Sequence, residues 1–267
     1  MFTHNNQMPR PRLFVLVSLI LLLLSMPSWA QWQRILFSGK GESRDTPSAH
    51  PLTYFTSKPF LRDDGADLCD ECRTEKGKAE SARNYTVSTE VHDVGTLAGS
   101  RIVDVFHNFR DRRKPELGTM RWKSVLVQTG HDKYVEIYHL QAYYLQAPLT
   151  SAKIVHVGDA SVLMTQDSDG GNGGGCWEAY WWFDGSGPHA IDFSPLVQEI
   201  IKHVPPGSTF WSTCWALHLE EQEVRSYVQK ANAQCRTCDF LGEVTAHFHL
   251  NGALAEPSDV SFAGAPE

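Results

Sequence analysis

From Tyr85 onward the chain alternates. Tyr85, Val87 and Val91 share one parity, and Thr86, Ser88, Glu90 and His92 the other. A period of two, rich in β-branched residues, predicts a half-buried strand. The same pattern recurs at Arg101–Phe109, Trp122–Thr129, Lys133–Gln141, Lys153–Val157, Val162–Gln166, Cys176–Asp184, His189–Phe193, Thr209–Leu219 and Glu243–Leu250. Gly95, Gly99, Pro115, Gly118, Gly130, Pro148 and Gly158 punctuate the runs. Gly185-Ser186-Gly187-Pro188 marks a hairpin between Cys176–Asp184 and His189–Phe193. One helix is signalled after Ser194 as N-cap, with Pro195 first, Leu196, Val197, Ile200 and Ile201 at helical spacing, and Pro205-Pro206-Gly207 as the stop. Glu220–Asn232 suits either helix or strand, and we assign it as a strand that continues a meander. About ten short strands, one short helix and no β–α alternation predict an all-β, antiparallel β-sandwich-like domain.

The N-terminus reads differently. Arg10 and Arg12 precede an apolar run from Leu13 to Leu24, followed by Ser28 and Ala30 as a small-x-small pair. This is the pattern of a secretory signal peptide over 1–30, cleaved after Ala30. The apolar run is short for a membrane span of about 20 residues, so the expectation is a secreted or periplasmic protein with no span after cleavage; an uncleaved anchor is the alternative. The remainder divides into a loop-rich arm at 31–82, a single β-rich domain at 83–252 and a flexible Ala-, Pro- and Ser-rich tail at 253–267.

Composition narrows the partners. With 42% hydrophobic and 21% charged residues the chain is neither disordered nor a multi-span membrane protein. The net charge is −7, from 24 bases and 31 acids. Losing the signal peptide removes two bases and no acid. That balance excludes nucleic acid as the main partner, whose binding comes mostly from neutralised phosphates. The one basic cluster, Arg110-Asp111-Arg112-Arg113-Lys114, reads as a solvated loop.

The six cysteines carry the strongest chemical signal. Cys69 and Cys72 form one Cys-x-x-Cys pair and Cys235 and Cys238 another. Three chemistries suit them: structural disulfides, a four-cysteine zinc site and redox-active dithiols. Export favours disulfides, and the wide separation of the pairs weakens the zinc reading. If the strands that follow the pairs, Tyr85–Val94 and Glu243–Leu250, are neighbours, the two loops can meet. Cys176 and Cys214 both lie on the polar parity of their strands, so a disulfide between them is the expected pairing if those strands are neighbours. Two buried thiols are the alternative.

Other constellations are weaker. Asp167, Asp169 and Asn172 in a glycine-rich loop resemble the start of calcium loops, although the later bidentate acid is missing; a flexible connection is the plainer reading. His247 and His249 share one strand face, which suits either a transition metal or plain solvent exposure. Trp177, Trp181 and Phe183 form one face of the aromatic strand and are expected to be core. Tyr180 and Trp182 form the other. If that face is open, it is an aromatic platform for a carbohydrate or protein ligand; otherwise the sheet is packed on both sides. No Gly-x-Ser-x-Gly or His-Glu-x-x-His motif is present, and no cofactor is required by any motif. The functional expectation is an exported β-rich binding or envelope-associated protein that works without catalysis. Two alternatives stand beside it: an extracytoplasmic hydrolase with a loop-assembled acid/His site, and a metal or redox protein built on the Cys-x-x-Cys pairs.

Overall fold

A computed structural model describes residues 48–57, 74–142, 149–168, 176–210, 216–231, 233 and 239–265. Contacts divide the chain between Ile35 and Leu36, and every described residue belongs to the second unit.

The described chain begins with two helices, α1 (Leu52–Thr56) and α2 (Glu75–Asn84). A four-stranded antiparallel sheet follows, β1 (Tyr85–Leu97), β2 (Ser100–Asp111), β3 (Thr119–Gly130) and β4 (Lys133–Ala142), in sequence order. The second sheet is also four-stranded and sequential: β5 (Lys153–Val157), β6 (Ala160–Ser168), β7 (Cys176–Asp184) and β8 (Gly187–Ala190). Helix α3 (Ser194–His203) leads into the third sheet, made of β9 (Ser208–Phe210), β10 (Leu217–His218), β11 (Glu223–Lys230), β12 (Phe240–Asn251) and β13 (Leu254–Gly264). There β10 to β13 form a meander, and β9 pairs with β11. The architecture is all-β and antiparallel, as the alternation predicts, and Glu223–Lys230 is a strand of the meander.

The layers follow from strand parity. Ile102, Val125, Val127 and Leu140 of the first sheet meet Leu163, Ala179, Trp181 and Phe183 of the second in one core. Tyr138 meets Trp181 edge to face, with centroids 6.0 Å apart. Fully burying a side chain of this size contributes about 1.5–3 kcal/mol. On the opposite parity of the second sheet, Met164 and Tyr180 are buried too. Tyr180 packs on Phe193, which leads into α3 and itself packs on Phe248 of β12. Thus β7 is covered on both faces, and the second sheet is a middle layer. The far face of the first sheet is covered by Phe55 of α1, against Val103, Val105, Leu126 and Tyr134, and by Ala82 and Tyr85, against Phe109 and Trp122.

Three expectations are corrected. The segment 31–82 holds α1 and most of α2, which runs on to Asn84. Helix α2 was hidden because it has no apolar stripe: it rests on good helix formers and on Thr74, whose side chain accepts from the Gly77 N–H at 3.0 Å. The tail expected at 253–267 is instead strand β13, paired with β12 from Asn251↔Leu254 to Gly242↔Gly264. The overlooked signal was Asn251-Gly252, where Gly252 (φ +59) opens a two-residue hairpin loop. Pro257 is accommodated because β13 is an edge strand and Pro257 lies at a register shift. Helix α3 includes Ser194, whose N–H donates to Asp192 Oδ1 at 2.8 Å, so the N-cap falls one residue earlier, at Phe193. No helix among the described residues is long and apolar enough to cross a membrane.

Candidate functional site

The most unusual chemistry lies between the first two sheets. Lys123 shares the inward parity of Val125 and Val127 and is fully buried. Its Nζ lies 2.9 Å from Asp167 Oδ2 of β6, which is equally buried. It also donates to Thr165 Oγ1 and sits 5.6 Å from the centroid of the Tyr138 ring. Asp167 Oδ1 accepts from the Thr150 N–H at 2.9 Å and from the Thr150 hydroxyl at 3.3 Å. A second buried acid, Asp104, accepts the Ala152 N–H on Oδ2 at 2.6 Å. Among the described residues nothing reaches its Oδ1. Burial pushes the Asp104 carboxyl up to about 6, against the opposing pull of Lys123 and of the Ala152 N–H. Burial, reinforced by Asp167, drives the Tyr138 phenol well above its ordinary value. Charges held out of water cost several kcal/mol each unless paired and hydrogen-bonded, which is what the opposed Lys and Asp achieve.

The other face of the middle sheet holds a further carboxyl. Tyr180 donates its hydroxyl to Glu178 Oε2 at 2.7 Å. Burial raises Glu178 to about 7, with hydrogen bonds from Tyr180 and Gln166 opposing.

A third cluster lies on the far face of the first sheet. His107 is fully buried. Its Nε2–H donates to the Phe55 carbonyl at 2.9 Å, and the Thr89 hydroxyl serves Nδ1 at 2.8 Å. This ties α1 to the sheet. Beside it the Ser124 hydroxyl donates to Glu136 Oε1, His139 Nδ1 lies 3.3 Å from the same oxygen, and the Trp122 indole N–H points at His139 Nδ1. Residues three apart on a regular strand face opposite ways. Here a register shift pairs Ser124 with His139 and Leu126 with Glu136, so the extra residue Ile137 brings Glu136 and His139 onto one face. The result is a partly exposed acid–imidazole pair. The serine hydroxyl is bound to the carboxylate rather than to the imidazole, so it is not set up as a nucleophile.

Asp184, Ser186 and His189 also meet, in the β7–β8 hairpin. Asp184 Oδ1 accepts the Ser186 N–H and hydroxyl, each at 2.7 Å, and lies 3.0 Å from His189 Nε2. These bonds, those from Ser186 foremost, hold the Asp184 carboxyl near 2. The serine and the aspartate share one imidazole nitrogen. A catalytic triad needs both nitrogens, so this trio locks a turn.

The outer face of the third sheet carries two exposed aromatic rings, Tyr227 and Phe240, with centroids 5.6 Å apart at 77°. Arg225 lies 2.8 Å from Glu223 and 3.8 Å from Glu243, and Lys230 lies 3.5 Å from Asp239. His247 faces Glu223 at 3.8 Å, whereas His249 faces Glu256 at 3.1 Å. The two histidines thus address different carboxylates. Among the described residues no group of three or more His, Cys, Asp or Glu is placed to hold a metal ion.

Several sequence candidates fall elsewhere. Cys69, Cys72, Cys214, Cys235 and Cys238 lie outside the described residues, as do Asp169 and Asn172; Cys176 opens β7, but its side chain is not among those described. The strands following the two Cys-x-x-Cys pairs are not neighbours, since β1 pairs with β2 while β12 pairs with β11 and β13. Asp167, a candidate calcium ligand in the sequence, is buried on Lys123. The Tyr180 and Trp182 platform is not open: Tyr180 is buried and Trp182 half-buried, against the His189 ring. Trp181 is core, as its parity predicts. Lys123, Asp104 and Glu136 went unnoticed, although a lysine and an aspartate on the apolar parity of long strands were visible signals.

Comparison with protein-family models, with curated proteins and with solved structures finds no match.

Proposed function

We propose that the protein is exported by its first thirty residues and acts outside the cytoplasm as an envelope-associated binding module, with the outer face of the third sheet as its contact surface for a carbohydrate or protein ligand. The observation that carries this reading is the exposed Tyr227–Phe240 pair, flanked by Arg225 and Glu243. Stray exposed apolar side chains are ordinary. Two rings in mutual contact on a strand face, with charged groups beside them, offer stacking surface and hydrogen bonds together. The test is co-sedimentation of the purified protein with insoluble polysaccharides and isolated cell envelopes. Substituting both Tyr227→Ala and Phe240→Ala should weaken retention at least tenfold, about 1.4 kcal/mol, without lowering the melting temperature. Unchanged retention by the double variant removes this surface from consideration.

A second reading, an extracytoplasmic hydrolase, is favoured by the Glu136–His139 pair. It requires turnover of a chromogenic ester or glycoside that is lost in both Glu136→Gln and His139→Ala. The placement of the Ser124 hydroxyl on Glu136 makes it the weaker of the two.

A further inference from the structure

We propose that Lys123 and Asp167 condense within the folded protein to an intramolecular amide that ties β3 of the first sheet to β6 of the second, with Asp104 as the proton relay. This goes beyond the binding function and does not depend on it.

The geometry supplies what the reaction needs. The amine and the carboxyl are in contact, with Nζ 2.9 Å from Oδ2, and neither is exposed to water. Well-oriented intramolecular reactants reach effective concentrations of roughly 10⁵–10⁸ M, which is what fixing both partners in the core offers. The two carboxyl oxygens are also differentiated. Oδ1 is fixed by the Thr150 backbone N–H at 2.9 Å and by its hydroxyl at 3.3 Å. That is the arrangement that stabilises negative charge developing on Oδ1 when nitrogen adds to Cγ. Oδ2 faces Lys123 and the Thr165 hydroxyl, at 3.3 Å from the latter, and is the oxygen placed to depart.

The relay is the neighbouring buried acid, which must close on Lys123 for the proton to pass. Asp104 pairs with Val125 and Lys123 with Phe106, so the two side chains share a face one step apart on adjacent strands. Asp104 Oδ1 is buried, and no described group reaches it. Its raised carboxyl is suited to taking up and returning a proton near neutral pH.

The step balances without a co-reactant. A proton passes across the 2.9 Å contact from the lysine ammonium to the Asp167 carboxylate, giving the neutral amine and carboxylic acid that the step requires. The neutral amine then adds to Cγ, forming the C–N bond. Asp104 accepts the proton released by nitrogen and delivers it to the Oδ2 hydroxyl. The Cγ–Oδ2 bond breaks and one water leaves. Nothing is oxidised or reduced, and excluding water from the core opposes the reverse hydrolysis.

The experiment is intact mass and a tryptic peptide map of the folded wild-type protein, after reduction and alkylation. The expected mass is one water below that calculated for the purified chain with its alkylated cysteines, with no cleavage after Lys123 and a branched peptide joining Lys123 to Asp167. Lys123→Arg should restore the full mass. Asp104→Asn should fold, by circular dichroism, yet condense at least tenfold more slowly. Linear peptides cleaved after Lys123 in the folded wild type overturn the proposal. So does a water loss that persists in Lys123→Arg, which would place the dehydration elsewhere. Condensation of Asp104→Asn at the wild-type rate overturns the relay. If the variants fail to fold, the wild-type peptide map decides alone.

Discussion

Asp104 and Glu178 are held protonated by the fold at pH values where the unfolded chain has already released their protons. The ordinary values are 3.8 and 4.5, and the folded values are about 6 and about 7. A carboxyl raised in the native state adds stability below its unfolded value and loses that stability as pH rises through its folded value. Between pH 5 and 6 the native state binds about 1.5 more protons than the unfolded chain, so stability should fall by ~2 kcal/mol over that unit. Between pH 6 and 7 mainly Glu178 remains, and the fall is ~1.4 kcal/mol. The total, ~3.4 kcal/mol, is a large share of the stability of an ordinary domain. Asp184, Asp111 and Glu199 are lowered by their partners. Their contribution is complete above about pH 5 and does not offset the trend. The assay is urea unfolding followed by circular dichroism at fixed ionic strength from pH 5 to 8, with Asp104→Asn and Glu178→Gln alongside. Each variant should remove about one proton's worth of slope. A wild type whose stability is flat or rises from pH 5 to 7, or variants that keep the full slope, would refute the assignment of these two groups.

Trp181→Ala should cost roughly 3–5 kcal/mol and lower the melting temperature by roughly 6–20 °C, and the half-buried Trp182→Ala should cost less; the reverse order in thermal melts would mean the middle sheet's faces are misassigned. Gly242→Ala should cost roughly 2 kcal/mol or more in urea unfolding, because φ is +148 and the new Cβ would lie 2.1 Å from the Ala263 carbonyl oxygen. N-terminal sequencing of exported protein should begin at Gln31; an intact Met1 would show that the leader is retained. Alkylation without reductant should label none of the six cysteines, and metal analysis should find no zinc; four thiols that react only after chelation would establish a zinc site.

Alternation disclosed strands such as β3 and β11 because each has a buried face. It placed Trp181 in the core, while Glu223–Lys230, whose pattern suits helix and strand alike, folds as a strand. It could not disclose α2, whose stability rests on capping and propensity rather than on an apolar stripe. Nor could it tell that the Tyr180 face would be covered, since that depends on Phe193 and the third sheet arriving from later in the chain. Strand β13 was readable at Asn251-Gly252, but its Pro257 and polar composition argued the other way until the edge position was known. The candidate sites were mostly illegible. Glu136 and His139 share a face only through a register shift, and the Lys123–Asp167 pair joins strands of different sheets. Lys123 nonetheless stood on the parity of Val125 and Val127, where a charge demands a partner.

The covered middle sheet also dictates how the molecule breathes. Edge strands such as β13 can release their amides to solvent by local fraying. The amides of β6 and β7 have no such route, since either face of their sheet is reached only by lifting away a whole neighbouring layer. Their hydrogen exchange should therefore report the free energy of global unfolding, while β1 and β13 exchange through smaller openings. The three sheets would then behave as one cooperative unit whose slowest protons lie at its centre.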